Sequence, residues 1–195
     1  MAARRFSQAI SEGDGISVLV DVYDADAARA AEAQGAEALV VGPGIDVVRA
    51  ATELPILYRA ADSLERAVRA GADACLLVVE DHREDGDRLE RLYAEAAEFE
   101  LDCVVEVRSD EELQLALERL DPEIFLLARS REDGEDAVDR ALDLLPDVPA
   151  GKLAVAEAAI STRDEVVELE RAGFDAVIVG ARDVAQLVGH APPEV

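Results

Sequence analysis

Several short apolar runs in this chain end in side chains that can carry a proton or a charge. "LAVAE" runs from Leu153 into a carboxylate, Glu157, just before "ISTRDEV", where a helix begins. "DCVVEVR" ends in Glu106 and Arg108, "LPILYR" in Arg59, and "SVLVDVY" in Asp21 and Tyr23. A carboxyl group acts as a general acid or base when burial or neighbouring charge moves its pKa toward neutrality. Arginine grips an oxyanion through its planar fork and stays charged, and tyrosine is a weak acid with a reference pKa of about 10. Acid–base chemistry on an anionic ligand is what such residues do when they are gathered at one place.

The elements that must gather them alternate from end to end. Strands are predicted at Ile16 to Val22, Glu37 to Gly42, Pro55 to Arg59, Asp73 to Glu80, Leu101 to Arg108, Glu123 to Ala128, Lys152 to Glu157 and Asp175 to Gly180. Helices follow at Asp26 to Gln34, Asp46 to Glu53, Ser63 to Ala70, Asp87 to Phe99, Asp110 to Leu120, Glu135 to Leu145, Thr162 to Ala172 and Ala181 to Val188. "QGAEALVV", "AGADACLLVV" and "AGFDAVIVG" repeat one design: a glycine after a helix, an acidic residue, then a strand. Gly35, Gly71 and Gly173 suit the left-handed turn that ends a helix.

Eight such units predict a compact (βα)8 TIM barrel with short loops, one domain over residues 1–195 with a tail at 189–195. An open doubly wound sheet is the rival, but "DVYDADAAR" is no glycine-rich phosphate turn. On a barrel, side chains at the C-terminal strand ends face the mouth. Period-two alternation then brings Asp21, Tyr23, Arg59, Glu106, Arg108, Glu157 and Gly180 to one concavity. The same set could equally form a layer of ion pairs in which Arg59 neutralises a carboxylate and plugs the opening. His82, in "EDHREDGD", falls near the mouth with a pKa suited to proton transfer or simply to a solvated loop, and His190 lies in the tail.

Composition limits the partners. The 44 acidic residues outnumber the 19 basic ones for a net charge of -25, and Lys152 is the only lysine. Such a surface repels phosphate backbones, which excludes nucleic acid. Charge spread over nearly every helix predicts adaptation to a salt-rich cytoplasm, where screening relieves self-repulsion. No apolar stretch reaches membrane-span length and "MAARRFSQAI" lacks a signal-peptide core, so a cytoplasmic location is expected. Cys75 and Cys103 lie in apolar runs without metal spacing, so no metal and no cofactor are expected.

Along nearly its whole length the sequence resembles the indole-3-glycerol phosphate synthases, (βα)8 barrels that cyclise and decarboxylate a carboxyphenylamino-deoxyribulose phosphate in tryptophan synthesis. "RRFSQAISEGDGISVLVDV" is similar to that family's leading helix, here within residues 1–15, and its first strand. "LPILYRAADS", "GADACLLVV", "LDCVVEVRSDEELQLAL", "VAEAAISTRDEV" and "GFDAVIVGARDV" are similar to its third, fourth, fifth, seventh and eighth strand regions. The resemblance implies catalytic carboxylates at Glu106 and Glu157. It places the family's first-strand glutamate on Asp21, its two lysines on Tyr23 and Arg59, and its sixth-strand asparagine on Ala128.

The serine and glycine after the seventh-strand glutamate become Ala158 and Ala159, and the long basic loop after the first strand shrinks to "YDADAA". The resemblance leaves Gly180, Ala181 and Arg182 to hold a phosphate. Arginine binds an anion but does not readily donate a proton, so loss of both lysines argues for a divergent barrel that binds a small anionic or phosphorylated ligand, or a protein partner, without the parent activity. A working synthase and another phosphosugar lyase or isomerase are the alternatives.

Overall fold

The computed structural model describes residues 5–12, 15–59, 63–83, 85–128, 137–157, 160–181 and 184–188. Its eight parallel strands are β1 (Ser17–Val22), β2 (Ala38–Val41), β3 (Ile56–Tyr58), β4 (Ala74–Val78), β5 (Asp102–Val107), β6 (Ile124–Ala128), β7 (Leu153–Glu157) and β8 (Ala176–Gly180). They pair in sequence order and close as a barrel, with β8 against β1. The helices are α1 (Arg5–Ser11), α2 (Ala25–Ala33), α3 (Ile45–Arg49), α4 (Leu64–Arg69), α5 (Val79–His82), α6 (Arg88–Glu98), α7 (Asp110–Arg119), α8 (Ala137–Leu144), α9 (Arg163–Ala172) and α10 (Val184–Leu187).

Alternation along each strand sorts the core into two shells. Inward residues such as Leu19, Val40, Leu57, Val104, Leu126 and Ile178 fill the barrel, while Val20, Leu39, Ile56, Val105, Phe125 and Val177 pack under the helices. Each fully buried aliphatic side chain contributes on the order of 1.5–3 kcal/mol. Helix ends follow local chemistry. Thr162 and Glu165 form a reciprocal capping box at the start of α9, and Gly173, at φ 109°, ends that helix in a conformation that disfavours any Cβ.

The bottom of the barrel is shut. Phe6 and Ile10 of α1 are buried against its interior, the Ser7 N–H donates to Asp102 Oδ2 at 2.8 Å, and Ser17 Oγ donates to the Ala9 carbonyl at 3.1 Å. The recurring acidic residue before a strand has a structural use here. Asp73 Oδ2 accepts the Ile56 N–H at 2.9 Å, and Asp175 Oδ2 accepts the Ala154 N–H at 2.7 Å, so each satisfies an otherwise unmatched donor near the start of a neighbouring strand.

Two elements differ from expectation. The fourth strand stops at Val78, whose pairing with Glu106 is the last of the β4–β5 register, and the polar residues beyond it wind into α5 instead of extending to Glu80. The third helix stops at Arg49 instead of Glu53. There the Thr52 hydroxyl donates to Glu32 at 2.7 Å and accepts the Leu54 N–H at 3.1 Å, drawing the chain out of the helix. The helix expected from Glu135 is described from Ala137, and the last helix is described from Val184.

Candidate functional site

The mouth is built by the inward register of the strand ends. Asp21 pairs with Gly180 across β1 and β8, Glu157 with Ala128 across β7 and β6, and Glu106 with Val78 across β5 and β4. Arg59 follows β3 at the same inward parity as Leu57, with its own N–H donated to the Val41 carbonyl at 2.9 Å. At Gly42 and Gly180 an added Cβ would meet nothing within 4 Å, so the opening is roomy on those sides.

Arg59 sits among the carboxylates. Its Nη2 donates to Glu157 Oε1 at 2.7 Å, and its Nε is buried without a partner among the described residues. The two side chains keep 24% and 31% of their surface exposed, so the pair faces the opening and is not sealed in the core. Glu106 is nearly buried. Arg108, two residues on and of the same parity, donates Nε to Glu106 Oε1 at 2.8 Å and Nη2 to the same oxygen.

Electrostatics ties these groups into one site. Burial pushes the Glu106 carboxyl up, Arg108 draws it down by charge and by hydrogen bonding, and Glu157 raises it again. Asp21 reaches solvent through the mouth yet is partly walled by protein. That burial raises its pKa, the Arg59 charge lowers it, and Glu157 raises it. A carboxyl group whose pKa is raised keeps its proton to higher pH than a free one, which suits both groups to proton donation.

The sequence missed a supporting layer. Glu112 is buried and takes the Arg108 N–H at 2.8 Å, while burial and a hydrogen bond with Glu80 raise its pKa. The spacing Ser109 to Glu112 was its available signal: the Glu112 N–H donates to Ser109 Oγ at 3.3 Å at the start of α7.

Tyr23 does not join the site. The β1 ladder ends at Val22 and Tyr23 falls in the link to α2, where its side chain is 77% exposed, so alternation no longer governs where it points. With only Tyr23 and Asp24 between β1 and α2, that loop cannot cover the mouth. Gly180 ends β8 and Ala181 packs on the core, while Arg182, Ala158, Ala159 and His190 lie outside the described residues. His82, on α5, has a buried Nδ1 that lies 3.9 Å from Asp85.

Cys75 and Cys103 are register partners. Hydrogen bonding to Cys75, then burial, pushes the Cys103 thiol well above its usual range, so it is a poor nucleophile. Among the described residues no cluster of three or more His, Cys, Asp or Glu side chains could hold a metal, and no helix is long and apolar enough to cross a membrane.

A sequence profile described as indole-3-glycerol phosphate synthase matches residues 25–186. The chain belongs to the indole-3-glycerol phosphate synthase family. The protein of that name from Halalkalibacterium halodurans is 30% identical over 179 residues, covering 84% of this chain and 68% of its own. Those from Priestia megaterium and Geobacillus sp. are 36% identical over 118 residues and 34% over 138, covering 60% and 68% of this chain. The chain spans about half the length of these two, 46% and 53%. A crystal structure of oxaloacetate acetylhydrolase superposes with a TM-score of 0.70 at 17% identity, covering 92% of this chain and 81% of that one, a likeness of fold alone. In this member of the indole-3-glycerol phosphate synthase family, then, Arg59 is paired with Glu157 and bears on Asp21 and Glu106 at the barrel mouth.

Proposed function

We propose that the chain carries carbon–carbon lyase chemistry of the indole-3-glycerol phosphate synthase type, with carboxyl groups supplying the protons. The observation that carries this reading is the mouth itself: Glu106 and Glu157 project inward with Asp21 around Arg59. Arg59 would hold the substrate's carboxylate or phosphate, a task for which a guanidinium is well shaped. Glu106 or Asp21, raised by burial, would donate the proton that assists ring closure, and Glu157 would accept one. Backbone donors after Gly180 remain candidates for the phosphate. Tryptophan biosynthesis and a cytoplasmic location come with this reading and stand or fall with it.

The test is turnover of the carboxyphenylamino-deoxyribulose phosphate by purified protein, read by indole fluorescence. Product should form, and Glu157→Gln should lower the rate by a factor of about 10² or more.

A second reading has its own support. The only lysine, Lys152, lies at the opposite end of the barrel, 2.7 Å from Asp121, so no ammonium group serves the mouth. A folded protein that binds anions at the mouth yet yields no product would make this a binding barrel that has lost the parent chemistry.

A further inference from the structure

Both arginines of the mouth among the described residues are already engaged by internal carboxylates: Arg59 by Glu157 at 2.7 Å, Arg108 by Glu106 at 2.8 Å. Among the described residues the ring holds, with Asp21, three carboxyl groups against two guanidinium groups. An incoming anion therefore competes with the protein's own carboxylates and adds negative charge to a site that already has a surplus. Like charges brought this close are relieved by protonation of whichever carboxyl group is least able to recruit water. Glu106, 4% exposed, is that group.

We infer that the mouth binds an oxyanion, carboxylate or phosphate in kind, on Arg59 and Arg108 with uptake of one proton by Glu106. The one bond change is a proton transfer: the anion replaces Glu106 as acceptor from Arg108, and the freed carboxylate forms an O–H bond with a proton given up by hydronium or a buffer acid. This deepens the proposed function and rests on its placing of the ligand at the mouth. Charged neighbours among the described residues bear on the step. Arg108 on the same strand and Arg59 from β3 lower the Glu106 pKa; Glu157 from β7 raises it, and Asp21 from β1 is in turn raised by Glu157 and lowered by Arg59. Behind Arg108, Glu112 of α7 holds the Arg108 N–H and in turn meets Glu80 of α5. Arg59 also keeps a buried Nε–H that has no partner among the described residues. Once Arg108 turns to the ligand, the influence that chiefly lowered the Glu106 pKa is withdrawn, and burial is left to raise it.

The test is calorimetric titration at constant ionic strength near pH 6 with sulfate and, separately, benzoate, in two buffers of different ionisation enthalpy. Neither probe titrates there, so buffer-dependent heat reports protons exchanged by the protein. The expected result is uptake of about one proton per anion and an affinity that falls about tenfold per pH unit above the Glu106 pKa. Binding of sulfate but not benzoate assigns the site to the phosphate end of a substrate, and the reverse assigns it to the carboxylate end.

Glu106→Gln should remove both the proton uptake and the pH dependence. Should that variant not fold, Glu157→Gln and Asp21→Asn should each keep the proton uptake, since Glu106 and Arg108 remain in place, and loss of uptake in either would overturn its assignment to Glu106. Equal heats in both buffers, uptake that survives Glu106→Gln, or no binding of either anion by folded protein overturns the inference. Proton-linked binding without turnover would uphold it while sinking the synthase reading; turnover with proton-free binding would do the reverse.

Discussion

At the bottom of the barrel Asp73 and Asp175 each accept a strand's N–H, at 2.9 and 2.7 Å, whereas at the mouth Glu106 and Glu157 accept from arginine side chains. The residue types at the two ends are alike; what they hold differs. A carboxylate bonded to backbone is part of the sheet's accounting, and its removal strands a donor that cannot move away. A carboxylate bonded to a guanidinium near an opening can exchange that partner for a ligand. Of these four carboxylates, Glu106 and Glu157 are the two held by side chains and not by a strand's N–H among the described residues, so they are the two that can change partners without breaking the sheet.

The comparison breaks most visibly under paired substitutions. Glu157→Gln should abolish most turnover, by a factor of about 10² or more, while shifting unfolding free energy by about 1 kcal/mol or less, since its ion pair is partly exposed. Asp73→Ala should do the opposite. It leaves the Ile56 N–H and Arg49, 3.2 Å from Asp73, without their acceptor, and a loss of about 2–4 kcal/mol in urea unfolding is expected. If Asp73→Ala unfolds like the parent while Glu157→Gln melts it, the division between the two ends is wrong.

Much of this was legible in sequence, for identifiable reasons. All eight strands and the inward parity of Asp21, Arg59, Glu106 and Glu157 follow from period-two alternation, which closure of the barrel does not disturb. Gly35, Gly71 and Gly173 do take positive φ, at 92°, 79° and 109°. Expectation and structure part where alternation stops. Tyr23 sits one residue past the β1 ladder, and Val79 to His82 lie past the last β4–β5 pair. The Arg108–Glu106 contact was within reach, because residues two apart on a strand share a face; Glu80 meeting Glu112 was not, because they come from different helices.

Surface charge gives a smaller and more diffuse effect. Many surface arginines are committed to local pairs, such as Arg69 with Glu65 at 3.1 Å and Arg88 with Asp85 at 3.2 Å, against 44 acidic and 19 basic residues in the chain. The surplus of carboxylates repels itself, and salt should relieve that. The melting temperature is expected to climb with potassium chloride from 0.1 to about 1 M, over which the Debye length falls from about 10 to about 3 Å. A flat or falling curve would count against adaptation to a salt-rich cytoplasm.

The smallest effect isolates the mouth from that background. Glu106 is raised above the ordinary glutamate value of 4.5, so the folded chain binds its proton more tightly than the unfolded chain does. Stability from this group is present below 4.5 and is lost as pH rises through its folded pKa. Glu165, on the capping box of α9, is lowered by the Ser161 N–H chiefly; its contribution is present above 4.5 and is lost as pH falls through its folded pKa.

Glu106→Gln and Glu165→Gln each remove one negative charge, so the general relief of self-repulsion is common to both and cancels between them. Urea midpoints taken from pH 4 to 7 should then diverge, with Glu106→Gln gaining on Glu165→Gln as pH rises. Parallel profiles would mean that burial at the mouth does not hold Glu106 any differently from a carboxylate on the surface, and the proton-carrying role given to it would lose its physical basis.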